Sequence, residues 1–304
     1  PSGQTAPANA SWPNGYDAFY CMKYEISQGQ YRDFLNTLTY NQQTSRAASV
    51  TGAPGTAALS NANRNGLDVQ TSGVAATFTP AVYGCNLNGN STYNEAADGE
   101  WIACNWLSWM DGSAYLDWAG LRPMTELEFE KACRGDQAPV ANEYAWGSTS
   151  ITQATIISSG GANNETSTGA NCAYGNDAQV QGPLRVGAFA GGATTRAQAG
   201  ASYYGIMEMS GNLWERAVTI GNADGRGFTG VHGNGRLSGG GHANETSWPG
   251  LSGSEVTGAS GSGLRGGDWS SSASYARVSG RISAAYPSTS RSSSYGFRGV
   301  RKSP

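Results

Sequence analysis

Few side chains in this chain could hold a transition metal or act as a nucleophile. The chain has five cysteines, which are Cys21, Cys85, Cys104, Cys133 and Cys172. None of them has Cys-x-x-Cys spacing, and the only histidines are His232 and His242. Structural zinc sites need four Cys or His ligands, and a three-histidine iron site needs one histidine more than the chain has. The sequence therefore predicts neither a zinc cluster nor a three-histidine iron centre.

The cysteine count bears on disulfides as well. Five is odd, so at least one thiol stays free or pairs between chains. Cys85 and Cys104 flank a polar stretch rich in Gly and Asn, which a disulfide between them could close. Two buried free thiols are the alternative, and the sequence leaves both open.

Residues 268–295 have the chemistry of a binding surface. The segment is small, hydroxylated and aromatic, with arginines at Arg277, Arg281 and Arg291, and it contains no Lys, Glu, Gln or Met. Tyr gives large, rigid contact area at low entropic cost, and Ser gives adaptable hydrogen bonds, as in antibody paratopes. The pattern predicts a ligand-binding surface; the alternative is an ordinary Ser-rich surface loop.

Composition excludes several classes of protein. The 304 residues include 19 basic and 22 acidic side chains, a net charge of −3, and 13% are charged, against a usual share of ~25%. So few cations cannot release many counterions from a nucleic acid, and we expect no nucleic-acid partner. No run of 18 apolar residues occurs, so we expect no transmembrane segment. Abundant Gly, Ser, Thr and Asn favour a secreted or surface protein.

The elements that must position these residues are concentrated in the first half. The alternating stretch AFYCMKYEIS predicts a strand. Capping residues and apolar spacing predict helices over 27–38, 108–118 and 125–135. In the third helix Thr125 and Glu128 form a capping box. Beyond residue 140 short apolar stretches alternate with long Gly-rich and Ser-rich loops, so the fold class is α+β.

The domain organisation follows from the same pattern. Residues 1–15 are predicted to form an extended N-terminal lead-in, and residues 16–304 a single domain. Three polar stretches have the composition of insertions rather than of further domains, and they fall at about 41–100, 148–182 and 221–262.

A series of motifs, in order, spans residues 19–301. They are KYEISQGQY at 23–31, WMDGSAYLDWAGLRPMTELEFEKACRG at 109–135, YAWG at 144–147, YGIMEMSGNLWER at 204–216, RGGDW at 265–269 and YGFRGVR at 295–301. Together they resemble the formylglycine-generating enzyme (sulfatase-modifying factor) family. The resemblance implies a variant of the C-type lectin fold, with a few early helices, small twisted antiparallel sheets and much ordered irregular loop.

The site of the family's enzymes is altered here. The resemblance implies oxidases whose copper is held by two cysteines a few residues after the GGSW motif. In this chain Ser270, Ser271 and Ser272 follow that motif, and no cysteine follows Cys172. Hydroxyls do not replace the soft thiolates that Cu(I) requires. The iron-dependent sulfoxide synthases of the same fold need a histidine cluster. We therefore expect a non-catalytic protein without copper, iron or an organic cofactor.

The C-terminal segment resembles the variable region of diversity-generating retroelement proteins. In those proteins adenine-templated mutagenesis randomises ligand-facing positions. An AAC codon cannot become a codon for Lys, Glu, Gln, Met or Trp when only its adenines are changed. The segment contains none of the first four, and Trp269 is the one exception. The candidate variable positions are Ser270, Ser271, Ser272, Ser274, Tyr275, Ser279, Ile282, Ser283, Tyr286, Ser288, Thr289, Ser290, Ser292, Ser293, Ser294 and Tyr295.

The resemblance also implies structural calcium. The ligands carried over are the side chains of Glu208 and Glu215 and the carbonyl oxygens of Gly211 and Leu213. Such hard oxygen donors suit Ca²⁺. The alternative is that Glu215 forms a salt bridge with a framework arginine such as Arg298. A second, weaker calcium site would involve Asn171 and Asp177.

These observations predict a non-catalytic bacterial or phage binding protein that is secreted, attached to a cell surface or carried on a virion. Its partner would be a protein or glycan on a cell surface, bound at 268–295. A fixed structural or self-assembling subunit of a surface layer or filament is the alternative on the same fold. A formylglycine-generating oxidase is a further alternative that the missing cysteine pair disfavours.

Overall fold

The computed structural model describes residues 7–303. The α-helices in this part of the chain are α1 (Gln28–Thr37), α2 (Tyr40–Arg46), α3 (Trp109–Trp118), α4 (Glu126–Arg134) and α5 (Ala223–Arg226). Two 3₁₀ turns cover Ala75–Thr77 and Ala273–Ala276. The strands are β1 (Phe19–Cys21), β2 (Leu67–Thr71), β3 (Val82–Cys85), β4 (Arg122–Pro123), β5 (Trp214–Val218), β6 (Leu251–Ser252), β7 (Glu255–Val256), β8 (Ser262–Arg265), β9 (Tyr295–Gly296) and β10 (Gly299–Lys302).

Reciprocal capping boxes start the three predicted helices. In α1 the Ser27 hydroxyl accepts from Gln30 N, and the Gln30 side chain accepts from Ser27 N. The same exchange starts α3 at Ser108 and α4 at Thr125. Each box pairs backbone N–H groups that the first turn leaves without partners. All three helices are confirmed.

Two local expectations needed revision. Helix α2 was not predicted, although Thr39 and Gln42 form a capping box there too. The predicted strand over 18–27 is real but short, because β1 ends at Cys21. Within the described part of the lead-in, residues 7–15 have no helix or strand, and Trp12 is buried with its indole N–H donating to Gly225 O at 2.9 Å.

The sheets are small, as expected for the α+β class. The strand orders are β1-β10-β4 and β8-β5-β9, with the two-stranded pairs β2-β3 and β6-β7. All pairings are antiparallel except β5 with β9. Because β8 and β9 flank β5, residues 268–294 leave the sheet on one side of β5 and return on the other. This topology places the C-terminal segment over the GNLWER motif.

A single large apolar cluster packs α1, α3 and the 41–100 stretch together. The Trp109 ring of α3 packs at a tilt of 42° on the Phe297 ring, 5.4 Å between centres, beside Gly112. A Cβ on Gly112 would lie 1.9 Å from the Phe297 ring, so only glycine allows this approach. Leu67, Val69 and further residues of the 41–100 stretch are buried in the same cluster. That stretch is therefore part of the core. No helix in residues 7–303 is long and apolar enough to cross a membrane.

Candidate binding surface

The sixteen candidate variable side chains all retain solvent exposure. The exposed ones are Ser270, Ser272, Ser274, Ser279, Ile282, Tyr286, Thr289 and Ser290, and the half-buried ones are Ser271, Tyr275, Ser283, Ser288, Ser292, Ser293, Ser294 and Tyr295. Among the residues between them, Ala276, Val278 and Ala284 are buried, each at most 4% exposed, whereas Ala285 and Pro287 are exposed. The segment therefore separates inward framework residues from outward Ser and Tyr.

The start of the segment is fixed by the RGG turn and the tryptophan after it. Gly266 and Gly267 have φ of +88° and +73°, a conformation that favours glycine. The indole N–H of Trp269 donates to Ser293 O at 3.1 Å, and its backbone N–H donates to Asn212 O at 2.9 Å. Trp269 thus joins the beginning of the segment to its end.

Arginine side chains hold the middle of the segment. Buried Arg265 donates to Val278 O at 2.6 Å and forms an ion pair with Glu126 at 3.1 Å. Arg281 forms an ion pair with the same Glu126 carboxylate at 2.8 Å. The Val278 N–H donates to Glu143 O at 2.9 Å. Helix α4 therefore anchors this part of the segment through one buried carboxylate.

Arg216 of β5 supports the loop 286–290, and sequence reasoning missed it. Its guanidinium donates to Ser288 O at 2.7 Å and Ser290 O at 3.1 Å. It also lies 4.5 Å from the centre of the Tyr295 ring, a cation–π contact. Burial lowers the pKa of Arg216 to about 10, and no salt bridge to it is found among residues 7–303. The only sequence signal was an arginine within the GNLWER motif, on a strand that also carries Glu215.

The large side chains of the surface differ in how closely they pack against the rest of the protein. Tyr275 packs edge-on against Trp214 at 5.7 Å, and Tyr295 lies on Arg216. Ile282 and Tyr286 are 78% and 53% exposed. A cavity of about 700 Å³ adjoins the surface, between Pro287 and Thr289 on one side and residues 247–260 on the other. The 221–262 stretch thus adds a wall to one side of the candidate surface.

At the implied calcium site the structure shows the salt bridge that was the alternative. Arg298 Nε donates to Glu215 Oε1 at 2.6 Å, with both side chains buried. Glu208 Oε1 accepts from Gly187 N at 2.8 Å. The second oxygen of each carboxylate is buried and has no hydrogen-bond partner among the described residues. Two such orphaned oxygens are donors of the type Ca²⁺ takes, so calcium held by Glu208 and Glu215 stays a prediction.

Several buried carboxyl groups lie close together at this position. Burial raises the pKa of Glu208 to about 7, and it raises the pKa of the neighbouring Glu25 carboxyl well above its usual range. The two carboxyl oxygens of Glu25 accept hydrogen bonds from the Asn212 side chain and from Leu213 N. A divalent cation would offset this excess of buried negative charge.

The weaker calcium pair is engaged elsewhere. Asn171 bridges two loops, accepting from Thr152 N at 2.8 Å and donating to Ala197 O at 2.9 Å. Asp177 accepts from Gln179 N in a tight turn. Among residues 7–303 no group of three or more His, Cys, Asp and Glu side chains is arranged to hold a metal ion.

The thiols are all free, which corrects the disulfide expectation. Cys85 and Cys104 are buried free thiols, the alternative that the sequence left open. The stretch after Cys85 is closed by hydrogen bonds instead. Cys85 N donates to Asn94 Oδ1 at 2.9 Å, and Asn94 N donates to Cys85 O at 2.9 Å. Burial raises the pKa of both Cys21 and Cys85 to about 12.

The comparisons with known proteins agree with the motif series. The sulfatase-modifying factor enzyme 1-like domain family matches residues 4–303. Hercynine oxygenase of Mycolicibacterium smegmatis is 36% identical over 112 residues, which are 36% of this chain and 20% of that protein. Formylglycine-generating enzyme of Bos taurus is 32% identical over 123 residues, 39% of this chain and 31% of that protein. The matched part is thus less than a third of either enzyme.

Two solved structures are similar over most of this chain. PvdO from Pseudomonas aeruginosa has a TM-score of 0.45 at 17% identity and covers 99% of this chain and 90% of its own. The Major Tropism Determinant U1 variant has a TM-score of 0.36 at 18% identity, covering 99% of this chain and 55% of its own.

Proposed function

Because the chain belongs to the sulfatase-modifying factor enzyme 1-like domain family, we propose that it uses this family's fold to display a ligand-binding surface at residues 268–295. The protein performs no oxidation. It acts outside the cell or on a virion, where its ligand is a protein or glycan of a cell surface.

The observation that carries this proposal is that one set of residues holds the backbone of the segment while another set supplies its surface. Arg216, Arg265 and Arg291 hold its backbone by contacts to carbonyls and carboxylates. Its sixteen Ser, Thr, Tyr and Ile side chains are exposed or half-buried. Side chains that do not determine the backbone can be exchanged without loss of the fold, which is the property a diversified binding surface needs.

The state of the thiols supports the absence of oxidase chemistry. A thiol acts as a nucleophile or copper ligand as the thiolate, which a low pKa favours. Here burial raises the pKa of Cys21 and Cys85 to about 12 and raises that of Cys104, Cys133 and Cys172 as well. Ser270 and Ser271 occupy the positions after the RGGDW motif. Each cysteine is therefore a packing residue in this proposal.

The test is to sequence the 3′ end of the gene, with its neighbourhood, across a population of the source organism. We expect substitutions confined to the sixteen positions, with Arg277, Arg281, Arg291 and the buried residues constant. A near-copy of the segment and a reverse transcriptase gene should lie nearby. An invariant segment with no template copy would overturn the diversified surface. A fixed binding or self-assembling module would then remain.

A further inference from the structure

A second cavity lies beside β1, away from the C-terminal segment. Its volume is about 560 Å³, and its lining includes Tyr16, Asp17, Tyr20, Lys23, Lys131 and Tyr204. No residue of 268–295 contributes to it. The size is that of a small-molecule pocket. We propose that this cavity binds a carboxylate-bearing sugar.

The aromatic side chains at the cavity are unusually exposed. Tyr16, Tyr20 and Tyr204 are 89%, 64% and 55% exposed. Three large rings left in water around one depression form an apolar surface that the fold itself does not use. A flat ring that ends in a hydroxyl can pack on the C–H face of a pyranose and hydrogen-bond its rim.

The Tyr204 ring is held in place through Tyr203 and a glycine behind it. A Cβ on Gly135 would lie 2.2 Å from the Tyr203 ring, so Tyr203 rests directly on the glycine. Tyr203 then packs edge-on against Tyr204 at 4.9 Å and 89°. Gly15, at φ +79°, brings the chain against α4, because its Cβ would lie 3.2 Å from Lys131 Cβ. The backbone before Tyr16 is thereby fixed against α4 at Lys131, and the Tyr204 side of the cavity is arranged before a ligand arrives.

Charge at the cavity favours an anion. The chain has only three lysines, Lys23, Lys131 and Lys302. Two of them line the cavity, and Lys302 pairs with Phe19 on the neighbouring strand. None of the three forms a salt bridge within residues 7–303; Asp136, outside the lining, interacts with Lys131 at longer range. Lys23 and Lys131 against one lining carboxylate, Asp17, give the lining a net positive charge. The Lys23 ammonium lies 5.5 Å from the centre of the Tyr24 ring, outside the lining, so Lys131 is the group placed to fix a monoanion by a charge-assisted hydrogen bond.

The shape favours a compact ring over an extended peptide. β1 is the outer strand of its sheet, so its free edge faces the cavity. The edge is closed at Lys23, whose carbonyl accepts from Met207 N at 2.9 Å. Only the three residues of β1 remain open, too few to pair a peptide strand. A single sugar ring with one carboxylate fits the opening, the rings and the ammonium groups together.

The test is ligand-observed saturation-transfer NMR on the whole chain. The probes are N-acetylneuraminic acid, methyl glucuronide, neutral methyl glucoside and tetraglutamate. We expect an acidic sugar to bind at least about fivefold more tightly than methyl glucoside. Lys131→Gln and Tyr204→Ala should each weaken binding about tenfold, the effect of losing ~1.4 kcal/mol. Lys302→Gln and Tyr286→Ala are the matched controls and should leave it unchanged.

Any one of these results would overturn the proposal: no saturation transfer, equal affinity for acidic and neutral sugars, displacement of the sugar by tetraglutamate, or loss of binding in the Lys302→Gln control. Loss in the Tyr286→Ala variant alone would place the sugar at the C-terminal surface and overturn it equally. Thermal melting of each variant checks that the fold is intact.

Discussion

Arg291 donates to both oxygens of Asp111, from Nη2 at 2.9 Å and from Nε at 2.7 Å. Asp111 is also the capping-box residue of α3, accepting from Ser108 N at 3.0 Å. On its other side Arg46 lies 3.2 Å away. One buried carboxylate therefore starts a helix of the core and fastens the end of the candidate binding surface.

Replacing Asp111 tests this anchor. Asp111→Asn keeps a capping acceptor but leaves Arg46 and Arg291 without a carboxylate, so the free energy of unfolding should fall by about 3–5 kcal/mol. Urea unfolding measures the loss. In the Asp111→Asn/Arg291→Gln double variant the loss should be clearly smaller than the sum of the two single losses. Additive losses would show that the two side chains do not act as a pair.

Arg216 should affect the mobility of the loop 286–290 more than the stability of the whole protein. It is a buried cation that binds Ser288 O and Ser290 O, with burial lowering its pKa to about 10. In Arg216→Met the removed desolvation cost offsets the lost hydrogen bonds, so we expect a change in unfolding free energy of less than about 1 kcal/mol. Amide exchange over 286–292 should nevertheless become faster. Exposed Arg236 offers the control, Arg236→Met, and equal exchange in both variants would refute the supporting role.

Two neighbouring positions test the division between framework and surface. Ser274 is exposed and Ala276 is 1% exposed, and both lie in the 3₁₀ turn Ala273–Ala276. Ser274→Leu should change the unfolding free energy by less than about 0.5 kcal/mol. Ala276→Leu should cost about 1–3 kcal/mol through overpacking. Similar costs at both positions, measured by chemical unfolding, would contradict the proposed surface.

His242 should make stability depend on pH. Burial, and then Arg46, whose guanidinium lies 3.2 Å from Nδ1, lower the pKa of His242 in the folded protein, while Glu255 and Asp111 oppose the shift. The unfolded chain then binds the proton first, so stability falls as the pH drops below ~6.5. The slope should stay well under ~1.4 kcal/mol per pH unit because His242 is half-buried.

The comparison of the wild type with His242→Gln isolates this effect. Glu208 has the opposite sign, because its raised pKa favours the folded state as the pH falls from 7 toward 4.5. Its contribution is common to both proteins and cancels in the difference. A difference between the two stabilities that does not change between pH 5 and pH 8 would contradict the prediction.

Calcium should stabilise the protein through Glu208 and Glu215. Both carboxylates keep one buried oxygen without a partner in the described part of the chain. A site filled at 100 times its dissociation constant adds about 2.7 kcal/mol, so the melting temperature should rise by several degrees over a chelator-treated sample. Glu208→Gln should abolish the rise, while Glu95→Gln, at an exposed loop position, should not. A wild type that melts identically with calcium and with chelator would rule the site out.

The sequence by itself determined the helix starts and the family. Ser27, Ser108 and Thr125 each bond to a residue three positions on, so the capping pattern is complete within one turn of chain. The same capping pattern, Thr39 with Gln42, was present for α2 but was missed because the surrounding sequence is polar. Each family motif is a continuous stretch of sequence, and the motifs occur in the family's order, so no folded structure is needed to identify them.

Only the tertiary structure decided how the binding surface is held and which thiols are buried. Arg291 meets Asp111 across 180 residues, and Arg216 meets Ser288 across 72. No local periodicity encodes such partners, because Asp111 lies on α3 and Arg216 on β5, and both reach residues 288–291 only once the chain has folded. The ion pair of Glu215 with Arg298 likewise required the folding of residue 298 against β5, since the energy of a buried ion pair exists only once both groups have left water.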